Sequence, residues 1–185
     1  MPFIGLDLDG VLCSLPGGLN PWIGSGNWRP DPASEERRRR AGLWVWLGEW
    51  LSTVRFLGRR PVMDAREALE AIAARRKIVV VTGRPAALTN RIEGWLQQNG
   101  LGDLVDLVRA NGTGFSSPRF KLEVIRELRV SEFVEDDGRT ARFLAHHGID
   151  PIFLVDWPRN RGSYPKQVRI ISSLCEVAPL LGDPF

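Results

Sequence analysis

Short apolar runs alternate with amphipathic stretches along most of this chain, and that alternation constrains the fold more than any other feature. Residues 3–8, 77–82, 104–110, 132–137 and 151–156 read as strands. The run 77–82, Lys-Ile-Val-Val-Val-Thr, is apolar on both of its faces, as in a strand covered from above and below. Between these runs, residues 64–77, 87–100, 117–128 and 139–148 place apolar residues at helical spacing, for example Leu88, Ile92, Trp95 and Leu96, or Leu122, Ile125 and Leu128. Gly100 and Gly148 supply stop signals. Asp64 and Glu67 predict a capping box at the first of these helices, and Ser173 and Glu176 predict another, opening a last helix over 173–181. Strands alternating with helices predict an α/β fold, a parallel sheet with helices on both faces.

One region breaks the rhythm. Residues 14–34 are rich in Gly, Pro, Ser and Asn and read as irregular, and 35–58 read as helical, with Leu43, Trp46, Leu47, Trp50 and Leu51 on one stripe. A chain of 185 residues has room for one domain and a small inserted module. The formal net charge of +3 suits an anionic substrate and falls short of a dedicated nucleic-acid binder. The two cysteines, Cys13 and Cys175, form no disulfide framework or metal-binding pair, which predicts a reducing compartment. No apolar run reaches membrane-spanning length and no cleavage-site pattern is present, so a soluble, cytoplasmic protein is expected.

In parallel α/β folds, ligands bind outside the carboxyl ends of the strands. Asp7, Asp9, Thr82, Asp136 and Asp137 all fall at such ends. Strand alternation would put Asp7 and Asp9 on one face, and two carboxylates so close call for a compensating cation. Several carboxylates with a hydroxyl and a lysine form a hard-oxygen set suited to Mg²⁺ and a phosphate. A carboxylate there can attack phosphorus, a second can move the proton, and Lys and Thr can hold the phosphoryl oxygens.

These motifs resemble a known family. Asp7-Leu8-Asp9-Gly10-Val11, the strand end Val79-Val80-Val81-Thr82, a helix bearing Lys121, and Asp136-Asp137 are similar, in order, to the four motifs of the haloacid dehalogenase (HAD) superfamily of phosphohydrolases. The resemblance implies a HAD-type Rossmann-like core over 1–12 and 62–185, with a small helical C1-type cap inserted at 13–61. It implies Asp7 as nucleophile, forming an aspartyl-phosphate, and Asp9 as general acid and base with its backbone carbonyl on Mg²⁺. Thr82, Gly83 and Lys121 would bind phosphate. Asp7, Asp136 and Asp137 would complete the metal site, with Asp137 favoured over Asp136 as the inner ligand. Residues 59–85 and 151–160 look similar to the 5'(3')-deoxyribonucleotidase branch, which implies a nucleotide or another small phosphorylated metabolite as substrate.

Other residues carry competing readings. Arg84 can reach an anionic substrate or be a turn arginine. Trp22 and Trp28 are candidates for substrate contact, whereas Trp46 and Trp50 read as core of the cap. The arginines at 37–40 read as a solvated helix start. Arg119 rivals Lys121. His146 and His147 suit the negative end of a helix, and Cys13 lies near the site without signs of activation. Two alternatives stay open. One is a phosphatase acting on a nucleic-acid terminus, since 136–148 look similar to polynucleotide kinase–phosphatase relatives. The other is a non-catalytic module that keeps the fold. Halide release is disfavoured, because Asp9 and the metal acids have no role in a metal-free dehalogenase.

Overall fold

The computed structural model describes residues 1–14 and 59–182. Six strands form one sheet in the order β5-β4-β1-β6-β7-β8. They are β1 (Phe3–Leu6), β4 (Lys77–Pro85), β5 (Leu107–Asn111), β6 (Glu132–Glu135), β7 (Ile152–Val155) and β8 (Val168–Ile171). Every pairing in this sheet is parallel. Two short strands, β2 (Cys13–Ser14) and β3 (Arg60–Pro61), pair antiparallel beside it.

The β-branched run explains the layering. Ile78 and Val80 face one core and Val79 and Val81 face the other, because side chains alternate along a strand. Helices α1 (Ala65–Ala73) and α2 (Thr89–Gln98), with the short α5 (Val177–Leu180), cover the first face. Helices α3 (Ser117–Leu128) and α4 (Gly138–His146) cover the second. A parallel sheet with helices on both faces is thus the observed architecture. The cap expected over 13–61 lies largely outside the described residues, as do Trp22, Trp28, Trp46, Trp50 and the arginines at 37–40.

β1 lies inside the sheet, with Ile4 opposite Ile78 on one side and Glu132 on the other. Gly5 is required there: a Cβ would come 2.5 Å from the Phe133 ring. The chain runs outward from β1 to β4 and β5, then returns to the opposite side of β1 with β6, so the order reverses around β1. At such a switch point the strand ends diverge and leave a crevice.

Several local expectations change. β8 was not foreseen, because a four-residue edge strand with two exposed residues shows no buried run. The strand read over 77–82 runs on to Pro85, with a shift of register after Thr82. Strand β5 begins at Leu107, after a 3-10 turn over Gly102–Leu104. Asp64 stands at the start of α1 in the left-handed region (φ 63°), and its side chain caps nothing, so no capping box forms. Ser173 accepts from the Cys175 N–H, but Glu176 accepts from Ser172; the result is a 3-10 turn leading into α5, not a helix over 173–181.

Candidate active site

Asp7 follows the last residue of β1 and is still tied to β6, its N–H donating to the Val134 carbonyl at 2.9 Å. Its Oδ1 accepts from the Leu8 N–H (2.8 Å) and faces Lys121 Nζ at 3.1 Å. Among the described residues Oδ2 has no partner. Lys121 reaches the site because it lies on the sheet-facing side of α3, only 3% exposed. Two residues earlier, Arg119 points outward and pairs with Glu123 at 3.6 Å. The helix face turns Lys121, and not Arg119, toward Asp7.

Lys121 Nζ also contacts Glu135 Oε2 at 2.7 Å. Glu135, the last residue of β6, is fully buried, and its Oε1 accepts from the backbone N–H groups of Asp136 and Asp137, each at 3.1 Å. Sequence reasoning did not single it out. The signal was present in three successive acids, of which alternation sends at least one inward.

Asp136 and Asp137 divide their tasks. The Asp137 carboxylate accepts from Arg139 N and Thr140 N (both 3.3 Å) and from Thr140 Oγ1 (2.9 Å), an N-cap for α4. Both Asp137 oxygens are thereby engaged. Asp136 instead joins Asp7 and Glu135, with one carboxylate oxygen of each lying within 4.8 Å of the others. Gly10 makes room for it: φ is +79°, and a Cβ there would sit 2.0 Å from Asp136 Oδ2.

Asp9 has other company. Arg84 holds it bidentately, Nε to Oδ2 and Nη2 to Oδ1, both at 2.8 Å, and Arg59 Nη1 lies 2.5 Å from Oδ1. β1 ends at Leu6, so strand alternation does not govern Asp7 and Asp9; the two acids pair with different cations, yet the Asp9 charge still acts on Asp7. Arg59 was missed; 46 positions separate it from Cys13, whose sulfur it approaches at 3.7 Å. Thr82 is buried, its hydroxyl accepting from the Arg84 N–H at 3.3 Å. Gly83 lets Ser117 pack closely, since a Cβ would come 2.3 Å from Ser117 Oγ. His147 Nδ1 lies 2.8 Å from the Phe143 carbonyl at the end of α4, away from this cluster.

The electrostatics follow from burial. Burial lifts the Asp7 carboxyl to about 7, against the pull of the Lys121 charge and with the push of Glu135 and Asp9. Burial likewise raises Asp136 well above the usual carboxylate range, helped by Asp7 and Glu135. Burial would raise Asp9 too, but the Arg84 hydrogen bonds and charge, with Arg59, hold it below that range. Burial pushes the Cys13 thiol up to about 12, so it is no thiolate nucleophile. The site therefore joins an acid-rich pocket at Asp7 and Asp136 to an arginine-held carboxylate at Asp9.

No helix among the described residues is long and apolar enough to cross a membrane. No protein-family model matches the sequence, and no curated protein does. Solved structures do match. A haloacid dehalogenase-like family hydrolase from Streptococcus pneumoniae aligns with TM-score 0.66 at 12% identity, covering 97% of this chain and 98% of that one. A protein from Haemophilus somnus described as a predicted phosphoglycolate phosphatase gives 0.61 at 17% identity, with 97% of each chain covered. A 2-haloacid dehalogenase from Pseudomonas syringae gives 0.55 at 13% identity, again with 97% of each covered. Likeness at these identities is likeness of fold, and the fold is the Rossmann-like parallel sheet of haloacid dehalogenase-type hydrolases.

Proposed function

We propose that this protein is a Mg²⁺-dependent phosphomonoester hydrolase that works through an aspartyl-phosphate on Asp7, with a nucleotide or another small phosphorylated metabolite as substrate. One observation carries the reading: Asp7 is buried at the switch point with one oxygen gripped by Lys121 and Leu8 and the other without a partner among the described residues. Oδ2 is the oxygen left to attack phosphorus.

Asp7 and Asp136 are the residues that would hold the ion. Their oxygens are hard donors, as Mg²⁺ prefers, and among the described residues each carboxylate has one oxygen in hydrogen bonds or ion pairs and one outside them, whereas both oxygens of Glu135 and of Asp137 serve hydrogen bonds. The Asp9 carbonyl completes the donor set that the sequence motif implies. When bound, the ion would neutralise charge between Asp7 and the phosphoryl group. Glu135 fixes the ammonium of Lys121, which faces Asp7 and suits a phosphoryl oxygen. Thr82 and Gly83 border the same strand end.

The steps balance on these side chains. Asp7 Oδ2 bonds to phosphorus as the bond to the leaving oxygen breaks, and Asp9 gives that oxygen its proton. Asp9 then takes a proton from water as the water oxygen bonds to phosphorus. The Asp7–phosphorus bond breaks, and inorganic phosphate and the free carboxylate result. The arginine-held form of Asp9 is the base of the second half. To act as acid in the first half it must part from Arg84, which then has a phosphoryl oxygen to meet. Trp22 and Trp28 stay candidates for contact with the rest of the substrate.

The test is phosphate release, with and without Mg²⁺, from nucleoside monophosphates, sugar phosphates and 3'- or 5'-phosphorylated oligonucleotides. The expected result is metal-dependent turnover of a small phosphomonoester, reduced at least about a thousandfold in Asp7→Asn. Turnover confined to oligonucleotides would move the substrate to nucleic-acid ends. No turnover on any member of the panel sinks the enzyme reading in favour of a binding module.

A further inference from the structure

The loop after β7 brings a cation of its own to the acidic cluster. Pro158–Asn160 form a 3-10 turn that Asn160 fastens to its surroundings. Its Nδ2 donates to the Asp136 carbonyl (2.9 Å) and the Val155 carbonyl (2.8 Å), and its Oδ1 accepts from the Gly138 N–H (3.1 Å). Tyr164 donates to the Asn160 carbonyl at 2.9 Å. On the other side, Trp157 Nε1 donates to the Gly10 carbonyl at 3.3 Å. The turn is thus tethered both to the end of β6 and to the residue after Asp9.

From this turn Arg159 Nη2 donates to the Asp136 carbonyl at 3.1 Å and to Asp136 Oδ2. The guanidinium carbon stands 5.5 Å from the Trp157 ring centroid. Its Nε is buried without a hydrogen-bond partner, so the group is placed by Asp136 and not by a full set of partners of its own. The same Asp136 carboxylate belongs to the oxygen set within 4.8 Å described above. It is therefore claimed twice. A carboxylate that neutralises a guanidinium attracts a second cation less strongly, and the two cations repel.

We propose that Arg159 is an internal counter-cation of Asp136 that competes with the divalent ion for this carboxylate and so sets the metal affinity of the site. The inference rests on the reading of Asp7 and Asp136 as metal ligands. Arg159 is then a positioning residue, acting through Asp136 and not on the substrate.

Calorimetric titration of the full chain with MgCl₂ and with MnCl₂, without substrate, tests it. Arg159→Gln is expected to bind metal roughly tenfold more tightly than the parent, as suits loss of one charge-assisted competitor. Arg159→Lys keeps a cation in place and is expected to stay near the parent. Without metal, Arg159→Gln melts below the parent, and saturating Mg²⁺ raises its melting temperature by more. Arg159→Met is measured beside it, so that one poorly folding variant does not decide the outcome. Equal or weaker metal binding in both neutral variants overturns the proposal. If neither parent nor variants bind either metal at millimolar concentration, this inference and the metal requirement fail together. If the parent binds metal with the expected ordering but hydrolyses no phosphomonoester, the inference stands and the hydrolase reading falls.

Discussion

Lys121 sits between two carboxylates, at 3.1 Å from Asp7 and 2.7 Å from Glu135, with almost no water to share the charge. Burial alone would favour the neutral amine, but the two acids raise its affinity for the proton above the ordinary value, so it stays an ammonium. Lys121→Met leaves two buried acids facing each other, and is expected to cost about 3 kcal/mol in denaturant unfolding, or to fold only at low pH. Gly10 is a second pressure point. Gly10→Ala meets both a left-handed backbone and the Asp136 carboxylate, and is expected to lose about 2 kcal/mol or more, read by the shift in midpoint at constant slope. The thiols behave oppositely. Cys13 is buried, and burial pushes its thiol up to about 12, while Cys175 is partly exposed. Iodoacetamide at pH 8 is expected to label Cys175 and spare Cys13 until the protein unfolds; equal labelling in the native state contradicts the buried placement.

At the scale of elements, legibility followed periodicity. The run Val79–Val81 and the apolar stripe of Leu122, Ile125 and Leu128 on α3 were readable, because alternation and helical spacing are properties of neighbours in sequence, whereas the choice of Lys121 over Arg119 was not. Asp136 and Asp137 were readable as a pair, but not their division of labour, which depends on where α4 starts. Glu135 was hidden inside a strand that needed no acid to be a strand. Arg59 and Arg159 were invisible for a different reason: Arg59 meets Asp9 through the β2–β3 pairing, and Arg159 meets Asp136 because the sheet order sets β7 beside β6. Asn160 belongs with them. It joins the ends of β6 and β7 to α4, and Asn160→Ala leaves the Gly138 N–H and two carbonyls without that partner. An expected loss of about 2 kcal/mol, with faster amide exchange at Gly138, checks this role.

At the largest scale the described residues are a sheet between two apolar layers, each with helices of its own. The acids lie where the layers meet the switch point, so the core and the site share β1, β4 and β6. Gly5→Ala shows the coupling: a methyl 2.5 Å from the Phe133 ring forces β1 and β6 apart below Asp7 and Glu135. It is expected to cost about 2 kcal/mol and to lower activity as well as stability, whereas a change on the outer face of α1, such as Glu70→Ala, touches neither. The extent of the inserted module over 13–61 is itself a proposal, and excision tests it. A chain in which 15–58 are replaced by a short glycine linker is expected to keep the circular dichroism and cooperative melting of the sheet.

The pairing of β2 with β3 gives that expectation its reason. Ser14 stands opposite Arg60 and Cys13 opposite Pro61, so the chain departs from the core and comes back at one spot. Seen from the sheet, such a pair is a closed clasp. Forty or more residues can be lengthened, shortened or exchanged beyond it while the strand ends below keep their spacing. The clasp also sets Arg59 beside Asp9, so an exchange of the segment beyond it is expected to reach the carboxylates chiefly through that one guanidinium.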